Sequence, residues 1–169
     1  MNALQRRKYI MGRLEEGGAP VSATVLAGEL SVSRQIIVGD VALLRAGGAH
    51  ITATPRGYVL ERPPEGRRFT IACRHTPEEM ARELEIMVDN GCTVENVIVE
   101  HSVYGQLVGQ LMLSSRYDVA EFIRKVSESG SKPLSDLTGG IHLHTLRCPD
   151  ESAFDRVTAE LREAGYLLE

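Results

Sequence analysis

Apolar residues Leu4, Tyr9, Ile10 and Leu14 recur near helical spacing, with Arg6, Arg7 and Lys8 outside the stripe, which predicts a helix over residues 4–16. Gly17-Gly18 ends it, and Ser22 is suited to cap a short helix over 23–30. Ser33 caps a second helix that begins Arg34-Gln35-Ile36 and runs to about Arg45, before Ala46-Gly47-Gly48. Two helices across so short a turn form the helix-turn-helix pattern. The β-prone runs 51–54 and 57–60 flank Pro55-Arg56-Gly57 and add a hairpin of wing size. The head of the chain therefore reads as a winged helix.

Arg62-Pro63-Pro64-Glu65-Gly66 is a stiff polar break, and it divides an expected domain over 1–62 from one over 67–169. Beyond it the pattern predicts a strand over 69–74, a helix over 77–90 and strands over 94–100 and 106–113. A helix over 116–129, a strand over 141–146 and a helix over 150–164 follow, with a short strand at 166–168. The order βαββαβ with a trailing helix predicts an α+β fold, a ferredoxin-like sandwich with one added helix.

Charge separates the two regions further. Residues 1–60 carry a net +3 and residues 61–169 a net −7, within a whole-chain charge of −4. Only the head is expected to meet a polyanion. No apolar run approaches the ~18 residues that span a bilayer, and the N-terminus lacks a signal-peptide pattern, so a cytoplasmic protein is expected. Three cysteines, Cys73, Cys92 and Cys148, show no C-x-x-C spacing, and free thiols rather than disulfides are expected. Cys73 lies two residues before His75, which leaves a thiolate ligand open beside the simpler reading of a small buried thiol.

The start of the second helix of the helix-turn-helix is where such folds meet double-stranded DNA. Arg34 suits guanine and Gln35 suits adenine, each by two hydrogen bonds, while Ser33 caps the helix and touches phosphate. Arg56 at the wing tip reaches a phosphate or the minor groove, and Arg6, Arg7 and Lys8 are further phosphate contacts. The competing reading is a winged helix that binds protein.

Three of the chain's five histidines fall in two short segments. His142 and His144 project to one face of a strand. In His75-Thr76-Pro77-Glu78-Glu79, Thr76 caps a helix, Pro77 opens it and Glu79 closes a capping box, so Glu79 has a structural task. Glu83, one turn on, leans back toward His75. Three imidazoles and one carboxylate suit zinc, nickel or iron(II), not magnesium or calcium. The bland alternative is a half-buried histidine pair and a solvated glutamate. Glu100-His101-Ser102-Val103-Tyr104-Gly105 reads as a hairpin turn whose histidine caps a backbone group, or as a ligand site in which His101 and Tyr104 face the metal cavity.

Taken together, Val32-Ser33-Arg34-Gln35-Ile36-Ile37-Val38, Gly57-Tyr58, His75-Thr76-Pro77-Glu78-Glu79, Val97-Ile98-Val99-Glu100-His101, Val103-Tyr104-Gly105 and His142-Leu143-His144-Thr145 resemble the niacin-responsive transcriptional repressors. In that family a winged helix precedes a three-histidine domain. The resemblance implies a homodimer that represses NAD-biosynthesis or niacin-uptake genes, with operator DNA as target and nicotinic acid as co-repressor. It implies a divalent metal, nickel or zinc, on His75, Glu83, His142 and His144, and it places the family's central histidine at His101. Ser102 departs from the proline usual there, which puts the rigidity of that turn in question. A metal-responsive regulator is the nearest alternative. A metal-dependent enzyme with Glu79 or Glu100 as base is more distant, since no G-x-S-x-G, H-E-x-x-H or phosphate loop occurs.

Overall fold

The computed structural model describes residues 1–61 and 65–169. The expected break at Arg62-Pro63-Pro64 lies outside the described residues. The chain divides into two compact units, Met1–Pro63 and Pro64–Glu169.

The first unit holds α1 (Ala3–Glu15), α2 (Ala23–Leu30), α3 (Arg34–Ala46) and a hairpin of β1 (Ile51–Thr54) and β2 (Gly57–Leu60). Each helix starts where a side chain satisfies an orphan amide. Asn2 and Gln5 form a capping box on α1, Ser22 accepts from Val25 N–H at 3.1 Å, and Ser33 accepts from Ile36 N–H at 3.3 Å. Ile10, Leu14, Leu26, Ile37 and Val41 fill the core between the helices, and Ile51 closes it from the wing. Asp40 on α3 is buried and accepts hydrogen bonds from the guanidinium groups of Arg6 and Arg7 on α1. Two arginines expected at phosphate thus hold α1 to α3, because a buried carboxylate requires cationic partners. Among the described residues, no helix is long and apolar enough to cross a membrane.

The second unit runs β3 (Arg67–Arg74), α4 (Met80–Asp89), β4 (Thr93–His101), β5 (Gly105–Leu113), α5 (Arg116–Ser129), β6 (Ile141–Cys148) and α6 (Glu151–Ala164). A 3-10 turn, Pro77–Glu79, leads into α4, and another, Leu134–Thr138, precedes β6. The α+β class and the element order agree with the sequence. The four strands are antiparallel in the order β3-β6-β4-β5. This is a variant of the ferredoxin-like arrangement: each βαβ unit is split by a strand, but β6 and β4 form the centre. β6 is therefore paired on both sides. Its alternate residues His142, His144, Leu146 and Cys148 are buried on the face that carries the core, with Leu84, Met87, Val157 and Leu161.

One expectation fails. Cys92 and Cys148 are joined as a disulfide, and only Cys73 is a buried free thiol. The cause is register: β4 and β6 set Thr93 opposite Arg147 and Val94 opposite Leu146, so the next opposed pair is 92 and 148, with Cα atoms 4.3 Å apart. A separation of 56 residues carries no local signal.

If Asp40 joins α1 to α3, Asp40→Ala leaves two arginines facing an apolar hole and lowers the thermal midpoint of the protein. Asp40→Asn, which keeps one acceptor, lowers it less. Equal midpoints for Asp40→Ala and wild type, measured by circular dichroism, would remove that role.

Candidate metal centre and DNA-reading helix

Glu83 lies in the first turn of α4 and is among the least exposed residues of the chain, at 1%. Its carboxylate meets three imidazoles. His75 Nε2 stands 2.6 Å from Oε2, His142 Nε2 stands 2.9 Å from Oε1, and His144 Nε2 stands 3.3 Å from Oε1. The donor atoms of His75, Glu83 and His142 all lie within 4.8 Å of one another. The capping box is what delivers Glu83: the Glu79 carboxylate accepts from Thr76 N–H at 2.8 Å and from its hydroxyl at 3.1 Å, which fixes the start of the helix.

Each imidazole is oriented from behind by a main-chain carbonyl. His75 Nδ1 lies 2.7 Å from Thr76 O, His142 Nδ1 lies 2.8 Å from Gly140 O, and His144 Nδ1 lies 2.7 Å from Asn96 O. A carbonyl only accepts, so every Nδ1 carries its proton and donates. The three Nε2 atoms then present lone pairs to the carboxylate when the rings are neutral. Lone pairs facing a carboxylate repel one another unless positive charge enters, as protons or as a cation. The donor set and its outer anchors match a histidine-carboxylate metal site. Burial is the largest influence on Glu83 and pushes its pKa up, but the surrounding imidazoles outweigh it and hold the carboxyl well below its ordinary range. For His75 burial pulls down, and the bond to Glu83, its charge and the Thr76 carbonyl together raise the pKa. Cys73 is fully buried with its thiol pushed far up, by desolvation first and then by the charge of Glu83.

Three contributors left little trace in the sequence. Asn96 follows a bulge in β4, offers its carbonyl to His144 and uses Oδ1 to take Thr145 N–H at 3.0 Å. Tyr166 sets its ring edge-on to His75 at 5.6 Å. Gly140, with φ +94, comes so close to His75 that an added Cβ would lie 2.5 Å from the His75 carbonyl oxygen. Glycine at 140 thus lets two segments of the chain meet.

His101 ends β4 on the same face as Val97 and Val99, by alternation from the pairing of Val97 with His144. Its Nδ1 accepts from Val103 N–H at 3.1 Å and Tyr104 N–H at 3.3 Å, so the turn-capping role is realised. This leaves the ring proton on Nε2, as a donor. Tyr104 lies 5.1 Å from that ring and is 74% exposed. In the winged helix, Arg34 and Gln35 are exposed at the start of α3 and Ser33 is occupied as its cap. Arg56 is half-buried in the wing turn, where its N–H donates to Thr54 Oγ1 at 3.2 Å.

The close approach at Gly140 has a measurable consequence. Gly139→Ala, at a left-handed position with no atom within 4 Å of the new Cβ, costs about 1–2 kcal/mol from backbone strain alone. Gly140→Ala must also displace His75 and costs more. Denaturant titration of both variants checks the order, and an equal loss would show that the contact does not constrain His75.

Comparison with known proteins locates these features in a family. A model of the 3H domain matches residues 68–169, and a model of the HTH domain matches residues 6–59. "Probable transcription repressor NiaR" of Thermotoga maritima is 46% identical over 165 residues, covering 98% of this chain and 94% of that one. "Transcription repressor NadR" of Bacillus subtilis is 40% identical over 168 residues, covering 96% of this chain and 93% of that one. These relatives are regulators, which sets the enzyme reading aside. The chain belongs to the family of transcription repressors that join a DNA-binding HTH domain to a 3H domain.

Proposed function

We propose that this repressor controls genes of niacin uptake or NAD biosynthesis, with nicotinic acid as co-repressor and a divalent transition metal on His75, Glu83, His142 and His144. The names of its relatives NiaR and NadR support the regulon. One observation carries the metal: three imidazoles, each with its Nδ1 proton directed at a backbone carbonyl, turn their Nε2 atoms onto one buried carboxylate. Nickel and zinc suit three nitrogens and one carboxylate oxygen, and iron(II) is the remaining candidate. When bound, the ion supplies positive charge to the cluster and, if octahedral, open positions for a small anionic ligand.

The residues of the chain do the rest. His101, with Nδ1 committed to its own turn, offers Nε2–H to a carboxylate, and the exposed ring of Tyr104 beside it offers a surface for an aromatic ring. This pair is the nicotinate site of the proposal. Arg34 and Gln35 read operator bases, Ser33 holds the helix start near phosphate, and Arg56 supports the wing. Two copies of the chain bring two such helices to successive major grooves, about 34 Å apart. Nicotinate acts only to the extent that it binds the DNA-competent arrangement more tightly than the other. The cytoplasm is the compartment in which this takes place.

Operator binding measured across a matrix of metal and nicotinate tests the reading. Affinity should rise with nicotinate only in metal-loaded protein. A rise with metal alone would instead establish a metal-responsive regulator, and no response to nicotinate in any arm would reject co-repression. His142→Ala combined with His144→Ala should abolish metal in protein purified without a His-tag. Occupancy equal to wild type would reject this site. Arg34→Ala should weaken discrimination between operator and random DNA by ~1–3 kcal/mol, and an unchanged ratio would show that Arg34 does not read bases.

A further inference from the structure

The sheet of the second unit has two edges, and they are finished differently. Along β3 the C-terminal segment closes the edge over Ala72–Arg74. Arg74 N–H donates to Tyr166 O at 2.8 Å, Leu168 N–H donates to Ala72 O at 3.0 Å, and Cys73 forms an isolated antiparallel bridge with Leu167. Along β5, among the described residues, no backbone group outside β4 takes up the outer amides and carbonyls. β5 is nine residues long and contains no charged residue and no proline. Its pairing with β4 shifts register beside Met112, where φ is positive, so the regular open edge is the run 105–110. Monomeric proteins protect such edges with lysine, proline, bulges or short strands, because an open row of amides pairs with any strand that fits.

The face of the sheet turned away from the helices points the same way. Ala72 pairs with Leu143, Leu143 with Ile98, and Ile98 with Val108, which makes one apolar row across all four strands. The row ends at the open edge, where Val108 is 47% exposed. A solvated sheet face ordinarily carries polar side chains at these positions.

We infer that β5 is the dimer contact: it pairs antiparallel with β5 of a second copy, joining two four-stranded sheets into one of eight strands. The inference rests on the dimeric-repressor reading above and names its surface. A second copy is the occupant for three reasons. Identical antiparallel strands pair about a two-fold axis, so the contact closes on itself. The β3 edge is closed over Ala72–Arg74 by the chain's own C-terminal segment and carries the charges of Arg67 and Arg68 at its other end, so β5 is disfavoured from pairing with β3 of a further copy and generating a fibre. An uncharged strand brings no like charges together across the axis. The apolar row is then continuous through the joint instead of stopping at water.

The test uses the full chain, with its mass in solution measured by light scattering. Spin labels are placed at Val108→Cys on β5 or Thr70→Cys on β3, both exposed, while Cys73, Cys92 and Cys148 are buried and leave the labelling selective. Edge pairing predicts a dimer in which the labels at 108 are at the short end of the measurable range. Labels at 70 lie seven strand spacings apart, about 34 Å. Sheets stacked face to face at about 10 Å would bring the labels at 70 well inside that distance and overturn the inference. A dimer with distant labels at 108 overturns it too, while leaving the dimeric repressor intact. A monomer at operator-binding concentrations overturns both.

Discussion

The second unit, with its 3H domain, depends on one buried carboxylate. Moving an ion such as that of Glu83 out of water costs several kcal/mol even after relaxation, so it persists only where compensating groups are already aimed at it. Three imidazoles meet that requirement, and each is held by a carbonyl that cannot turn away without leaving its own place in the backbone. Glu83 comes from the helical layer, and His142 and His144 come from the sheet. The cluster is therefore also the polar joint between the two layers, set in a core that is otherwise made of Leu, Val, Ile, Met, Ala and Cys.

Much of this was legible in the sequence, and the reasons are local. A two-residue spacing on a strand puts His142 and His144 on one face whatever the rest of the fold does. A capping box fixes where α4 starts, and so where Glu83 lies relative to His75. Features set by register were not legible. Asn96 reaches His144 because a bulge shifts β4 by one residue, and Cys92 meets Cys148 because two distant strands happen to be in step. The central position of β6 is a property of the whole sheet, and residue order alone does not decide it. The structural task of Arg6 and Arg7 was hidden for another reason. Their charge read as a DNA contact, and only the packed domain shows the buried Asp40 that engages them.

The turn that His101 caps also decides what its ring can offer. A ring whose Nδ1 caps its own turn has only one nitrogen left to offer, and that nitrogen must be a donor. The structural task thus selects the chemistry available for any ligand. Ser102, within the turn, lacks the ring that would fix the backbone there. The two amides bound by His101 take over part of that restraint.

The three carbonyls behind the histidines belong to segments far apart along the chain, the approach to α4, the glycine pair before β6 and the bulge in β4. Whatever displaces one of these segments must alter how strongly the cluster holds positive charge. By thermodynamic reciprocity, charge held in the cluster must resist that displacement to the same degree. An effector near the bulge would therefore need no direct contact with the cluster to be felt by it.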